Sequence, residues 1–410
     1  MNINWGQSGR GRSYSVIPMS MRPSLNNVPF ELLESHIFPL LSPLDLVCLG
    51  KADKSKKAAV ELYSATQLRR LFSRYFTEEE TNKFRLLQAE YGILISGSSG
   101  VQFFECIRYP GSDLDIYVEH KHCHAVGQFL LTAGYTFNPR DKQQGVFYEV
   151  VGRVSEAVRV RDEDAFLTGY HCRGIADVYD FSRNGAQVQL ITSKKSPMEI
   201  ILSFHSTTPM NIISHSYAYS LFPKATFDQK RALIITTSGS GQETGRGKYR
   251  DRGWKLFEYP SVFEATDSKS EFQAGLRWVG DRKCLTLPLP PIPSLDAFIP
   301  FPYPVHINSW NMKYNRDNEA ILEHEMLLAP VFSYCAADGA SFLEALDKCG
   351  ILKELDRFMA PVKGTVWVDK LLVALFQKYQ ERVSSTRNGS GAALEWLMKP
   401  DVLYPTALSL

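Results

Sequence analysis

Apolar positions along this chain follow two rhythms, one of three to four residues and one of two. Leu33, Ile37 and Leu40 recur at helical spacing just after Pro29. Ser42-Pro43-Leu44-Asp45 then marks a second helix start, followed by Leu46, Val47 and Leu49. Thr77 to Glu90 predicts a charged helix with Phe84 and Leu87 on one side. Thr77-Glu78-Glu79-Glu80 fits a capping box at its start, and Tyr91-Gly92 ends it. Strands are expected at Ile93–Ile95, Asp113–Val118, Val146–Val151, Ala176–Phe181 and Gln187–Ile191, the last two joined by an Arg183-Asn184-Gly185 hairpin turn. Helices are expected at Ala125–Thr132, Pro197–Phe204, Asn318–Leu328 and Val366–Tyr379; Val368, Leu372, Leu375 and Tyr379 line one face of the last, as a core face would. Helices alternating with strands in this way predict an α+β fold, a mixed sheet flanked by helices.

Between Leu287 and Pro304 stand seven prolines, a run that excludes helix and central strand. It divides the chain into a disordered tail (1–27), an N-terminal helical segment (28–75), a main α+β domain (76–286), a proline-rich linker (287–310) and a helical C-terminal extension (311–410). No internal repeat is visible.

Composition narrows the function classes. A 410-residue chain with 44% apolar residues can bury a large core. Its net charge of only +2 confines any polyanion site to a local patch and leaves nucleic-acid binding open. The seven cysteines are scattered, with no Cys-x-x-Cys, as in a reduced intracellular protein. No stretch approaches the roughly 20 apolar residues of a membrane span, so a cytoplasmic or nuclear location without membrane attachment is expected.

The chemistry concentrates in two segments. Ile93-Leu94-Ile95-Ser96-Gly97-Ser98 reads as a strand, a Gly-Ser turn and a helix start. Asp113-Leu114-Asp115-Ile116-Tyr117-Val118 reads as a strand with two carboxylates on one face. Free N–H groups at the helix start can receive a phosphate, and two carboxylates can share a metal ion. This pairing resembles the active site of the DNA-polymerase-beta-like nucleotidyltransferases. The resemblance implies Asp113 and Asp115 as catalytic metal ligands for Mg²⁺, and Gly97, Ser98 and Gln189 as nucleotide-binding residues. It implies a nucleoside triphosphate as ligand and transfer to a hydroxyl of RNA, protein or a small molecule. The chain departs from the family pattern at Ser96, where an apolar residue is usual, and in the fourteen residues from Ser99 to Ser112. It departs most at the third acid: Val188-Gln189-Leu190-Ile191 offers an amide there. Asp177 and Asp180 are the alternatives, but three residues apart on a strand only one can face the site. Whether the chain is an active enzyme or a degenerate pseudoenzyme stays open on this reading.

The segment from Val28 to Phe72 resembles an F-box, which implies docking on a Skp-type adaptor of a cullin ubiquitin ligase. Under that reading the transferase fold recognises substrates; a plain helical hairpin is the alternative. His120, His122, Cys123 and His124 are expected in a solvated turn, because no second zinc half-site follows. His205 and Asn211 fit either a substrate-side loop or a buried turn, and no Gly-x-Ser-x-Gly elbow surrounds Ser206. Ser238 to Lys255 reads as a flexible hairpin tip, with phosphate binding by its basic and aromatic residues as the alternative.

Overall fold

The computed structural model describes residues 28–160, 174–235, 240–292, 305, 308–326 and 336–337. Among the described residues the first α-helices are α1 (Phe30–Leu32), α2 (Pro43–Gly50), α3 (Lys54–Phe72) and α4 (Glu78–Tyr91). Capping boxes start α2 at Ser42/Asp45 and α4 at Thr77/Glu80, each side chain satisfying the other residue's backbone N–H. Gly92, at φ 63°, ends α4 in the left-handed conformation that glycine adopts without penalty.

The chain then enters the main sheet through β1 (Leu94–Ile95), α5 (Gly97–Glu105) and β2 (Leu114–Glu119). It continues through α6 (Cys123–Thr132), β3 (Thr136–Asn138), α7 (Phe147–Val160), β4 (Ile175–Arg183) and β5 (Ala186–Ser193). Next come α8 (Pro197–Leu202), β6 (Asn211–Ile213), β7 (Tyr217–Ser220), β8 (Arg231–Leu233), α9 (Ser240–Asp251) and β9 (Lys255–Phe257). Then come α10 (Val262–Thr266), β10 (Gly275–Trp278), β11 (Leu285–Pro288), β12 (Ser309–Tyr314), β13 (Ala320–Glu323) and the short strands β14 (Glu325–Met326) and β15 (Ala336–Ala337). Eight strands form one mixed sheet in the order β11-β7-β6-β1-β2-β5-β4-β3, in which β2 and β5 are parallel. A second sheet has the order β10-β12-β13. Together these make an α+β fold with a mixed sheet flanked by helices.

The period of two along the central strands sorts their side chains onto two faces. Ile95, Leu114, Ile116, Val118, Tyr179, Phe181, Val188 and Leu190 share one core with Phe72, Phe84, Val126 and Phe147 from the helices. Leu94, Tyr117, Val178 and Ile191 belong to a second core with α8 and the small sheet, which adds Trp310, Met312 and Leu322. Asp115, Gln189 and Asp180 lie on this second face, because they alternate with the residues of the first core.

Several expectations require correction. Val146–Val151 is no strand: Phe147, Val150, Val151 and Ala157 form the buried stripe of α7. The ring of Phe147 lies so close to Gly127 that a Cβ there would sit 2.1 Å from it, so α6 and α7 pack through that glycine. Asn318–Leu328 contains β13 in place of a helix, since Ala320 and Leu322 are buried while Ile321 and Glu323 are exposed. The turn before β13 is held by the Asn315 side chain, which accepts from the backbone N–H of Asp317 and of Glu319. Residues 311–326 of the expected helical extension are therefore largely strand. Val366–Tyr379 and the tail 1–27 lie outside the described residues. The proline-rich run begins as sheet: Leu287 and Pro288 belong to β11, an edge strand, where a missing N–H is tolerated.

Candidate functional site

Ile93 to Ile95 is buried, and it delivers Ser96 to the point where α5 begins. The Ser96 hydroxyl donates to the Asn211 carbonyl at 2.7 Å, which satisfies this buried polar residue. Gly97 follows at φ 66°, and a Cβ added to it would lie 2.6 Å from the Asp115 Oδ2. Only a glycine lets that carboxylate sit directly against the first turn of α5. Ser98 is half-buried in the same turn, and no side chain caps the helix start at Ser96. The Ser99 hydroxyl donates to the Asp113 carbonyl at 3.2 Å, pinning the entry to β2 beside α5. Gly100 lets α5 pack on β6, since a Cβ there would meet the Asn211 carbonyl at 2.5 Å.

Both carboxylates are raised above their ordinary value. Burial pushes the pKa of Asp115 up to about 7, with the Asp113 and Asp180 charges adding to the effect and Lys248 opposing it. Asp113 is also raised by burial and by Asp180, while Lys248 and Arg140 pull it down. Lys248 on α9 is exposed, and its charge opposes the rise at both acids.

Register places Gln189 between two acids. Asp115 pairs with Gln189 across β2 and β5, and Gln189 pairs with Asp180 across β5 and β4. An acid, an amide and an acid stand in one row across three strands. Asp180 is gripped by Arg140, whose Nε and Nη2 donate to its two oxygens at 2.6 and 2.8 Å. Arg140 sits in the loop after β3; its N–H donates to Gln143 Oε1 at 2.9 Å, and Gln143 Nε2 donates to the Val178 carbonyl at 3.0 Å. Asp177 is the acid left out of this row: at the bulge in β4 it is buried and accepts from the Val178 N–H and Gln143 Nε2. Among the described residues, no three His, Cys, Asp or Glu side chains converge into a ready metal-ligand set.

The histidine segment is solvated only in part: His122 is half-buried and His124 exposed, but His120 is not. His120 is buried between Thr192 Oγ1 and Ser155 Oγ, at 3.0 and 3.1 Å. His122 stacks on Tyr91 and His124 packs on Tyr148, so the three rings diverge. Of the other pair, Asn211 is buried at the start of β6, its Nδ2 donating to the Thr208 carbonyl at 2.7 Å, while His205 is half-buried with its Nδ1 2.8 Å from the Ser206 Oγ.

Ser238–Lys255 also differs from its expected form. Residues 240–251 are the helix α9, anchored by the buried Arg246 and Tyr249. Arg252 lies 3.8 Å over the Tyr109 ring, and Trp254 Nε1 donates to the Thr226 carbonyl. Sequence reasoning missed Arg140 altogether and saw Lys248 only as part of a basic stretch. Comparison with protein-family models, with curated proteins and with solved structures gave no match for this chain.

Proposed function

We propose that the acid-bearing end of the sheet binds a nucleoside triphosphate with Mg²⁺ and transfers its nucleotidyl group to a hydroxyl acceptor. The observation that carries this reading is the contact of Asp115 with Gly97, which joins a carboxylate pair to an uncapped helix start. A Mg-bound triphosphate needs both a carboxylate set for the cation and donors for phosphate oxygens. Asp113 and Asp115 fit one cation; bound there, it would supply charge neutralisation to the triphosphate. The backbone N–H groups of Gly97 and Ser98 suit the outer phosphates, and Lys248 adds a cation on the open side. In the transfer, the acceptor oxygen forms a bond to the α-phosphorus and the bond to the bridging oxygen breaks. Pyrophosphate leaves with that electron pair, and the hydroxyl proton passes to solvent.

Calorimetric titration with MgATP and MgGTP tests this on the wild type and on Asp113→Ala/Asp115→Ala. Binding that is at least tenfold weaker in the double variant is expected; equal binding by both proteins would sink the site.

A second reading is favoured by the N-terminal segment. Leu33, Phe38, Leu46 and Tyr63 form a small core of their own, while Leu32 and Leu40 are exposed, Leu40 by 84%. Exposed leucines beside a separate small core suit a docking module of the F-box kind, which would make the chain a ligase adaptor. Co-purification with a Skp-type adaptor, lost on Leu40→Asp, is the corresponding test.

A further inference from the structure

We propose that Arg246 is the receptor for a phosphate group bound between α9 and the segment that carries His205. This site does not draw on the carboxylate pair. Gln242, Gly245, Arg246 and Tyr249 stand at i, i+3, i+4 and i+7 of α9 and so share its inner face. That face meets His205: a Cβ on Gly245 would lie 2.7 Å from the His205 Nε2, and the Tyr249 and His205 rings are 6.0 Å apart. Arg246, beside these contacts, is only 6% exposed.

Its guanidinium is not consumed by the fold. Nε and Nη2 are both buried, and among the described residues neither has a hydrogen-bond partner. These two N–H groups point the same way and form the fork that takes two oxygens of one oxyanion. Nη1 reaches the Glu243 Oε2 only at 3.5 Å, and Glu243 is exposed, its other oxygen accepting from Arg250 at 2.6 Å. A buried guanidinium with so weak a counter-charge is costly, and a bound oxyanion removes that cost. His205 adds no second cation, because burial, with the Arg246 charge, pushes its pKa down to about 4. Gln242 narrows the class of oxyanion. Its Oε1 is also buried without a partner, an acceptor that calls for a donor. Carboxylates and sulfate bring no proton near neutral pH, whereas a phosphate keeps one around its second ionisation at about 6. Two oxygens for Arg246 and a P–OH for Gln242 match a phosphate, free or as a monoester.

Thermal melts of the full chain at about pH 6, with ionic strength held constant by chloride, test this. Inorganic phosphate is expected to raise the wild-type Tm, and sulfate to raise it less. Arg246→Met keeps the apolar stem; it should melt no lower than the wild type without phosphate and gain nothing from phosphate. Arg246→Lys, which keeps the charge without the fork, should bind inorganic phosphate roughly tenfold more weakly by calorimetry. Gln242→Met should lose the preference for phosphate over sulfate. Glycerol 3-phosphate separates the two sources: a larger shift than inorganic phosphate gives marks a monoester site, a smaller one a site for the free ion. An unshifted wild type, or equal phosphate shifts in wild type and Arg246→Met, would overturn the site. So would an Arg246→Met that melts well below the wild type without phosphate, since the arginine would then be held by the scaffold itself. Equal wild-type shifts with sulfate and phosphate would overturn the choice of phosphate.

Discussion

Strand β4 holds two arginine–carboxylate pairs, one on each face of the sheet, and they do different work. Asp180 and Arg183 are three residues apart, so their side chains leave the strand in opposite directions. Arg183 binds both oxygens of Glu80 at 2.7 and 2.9 Å, donates to the Tyr75 and Ala133 carbonyls and lies 4.6 Å over the Tyr135 ring. Every contact of this pair ties β4 to the helical layer. Asp180 meets Arg140 on the other face, beside Gln189 and two further carboxylates. A pair whose neighbours are carbonyls and rings fastens elements together. One whose neighbours are like charges sets the field of a site.

The sharpest way to break this contrast is to remove each arginine. Arg183→Ala is expected to destabilise the protein by about 2–3 kcal/mol, because Glu80 and two carbonyls lose a charged donor at once. A urea melt would read this; a change within about 0.5 kcal/mol would place Arg183 outside the scaffold. Arg140→Ala, measured the same way, should fall within about 1 kcal/mol.

Between these lies a pH effect. The Arg183 guanidinium holds the Glu80 carboxyl at about 2, below its ordinary 4.5. A depressed folded-state value means that this stabilisation is complete above pH 4.5 and fades as the pH falls toward 2. Stability measured across that window should drop less steeply in Arg183→Ala than in the wild type. Parallel curves would show that the pair contributes nothing through Glu80.

The frame around the site was legible because its signals are local. Gly97 lies next to its helix, Asp113 and Asp115 are two apart, and Asn184-Gly185 forms its hairpin turn with positive φ at both residues. The arginine was not legible: Arg140 reaches Asp180 across forty positions of sequence from a loop without periodicity. The helix α9 was hidden for another reason. Gly241, Gly245 and Gly247 argue against a helix by propensity, yet Gly245 is the residue that fits, since a Cβ there would sit 2.7 Å from His205 Nε2. Packing of Arg246 and Tyr249 overrides the local preference. The strand read at Val146–Val151 failed because a short apolar run looks alike at either period.

The strand order also has a consequence in time. Strands β2 to β5 fall between residues 114 and 193 and can pair as soon as that stretch has left the ribosome. β1 has only β2 to pair with until Ile213 arrives opposite Ile95, and β7 waits for Leu285 and its neighbours to close its outer side. Pairings this distant in sequence are slow to form, because loop closure must precede the contacts that reward it. During synthesis the β1 edge, with its apolar Leu94 and Ile95, is open to strands of other nascent chains for about ninety residues after β2 is complete. This protein should therefore depend on folding helpers at a defined moment of its synthesis, after β1 has paired with β2 and before β6 exists.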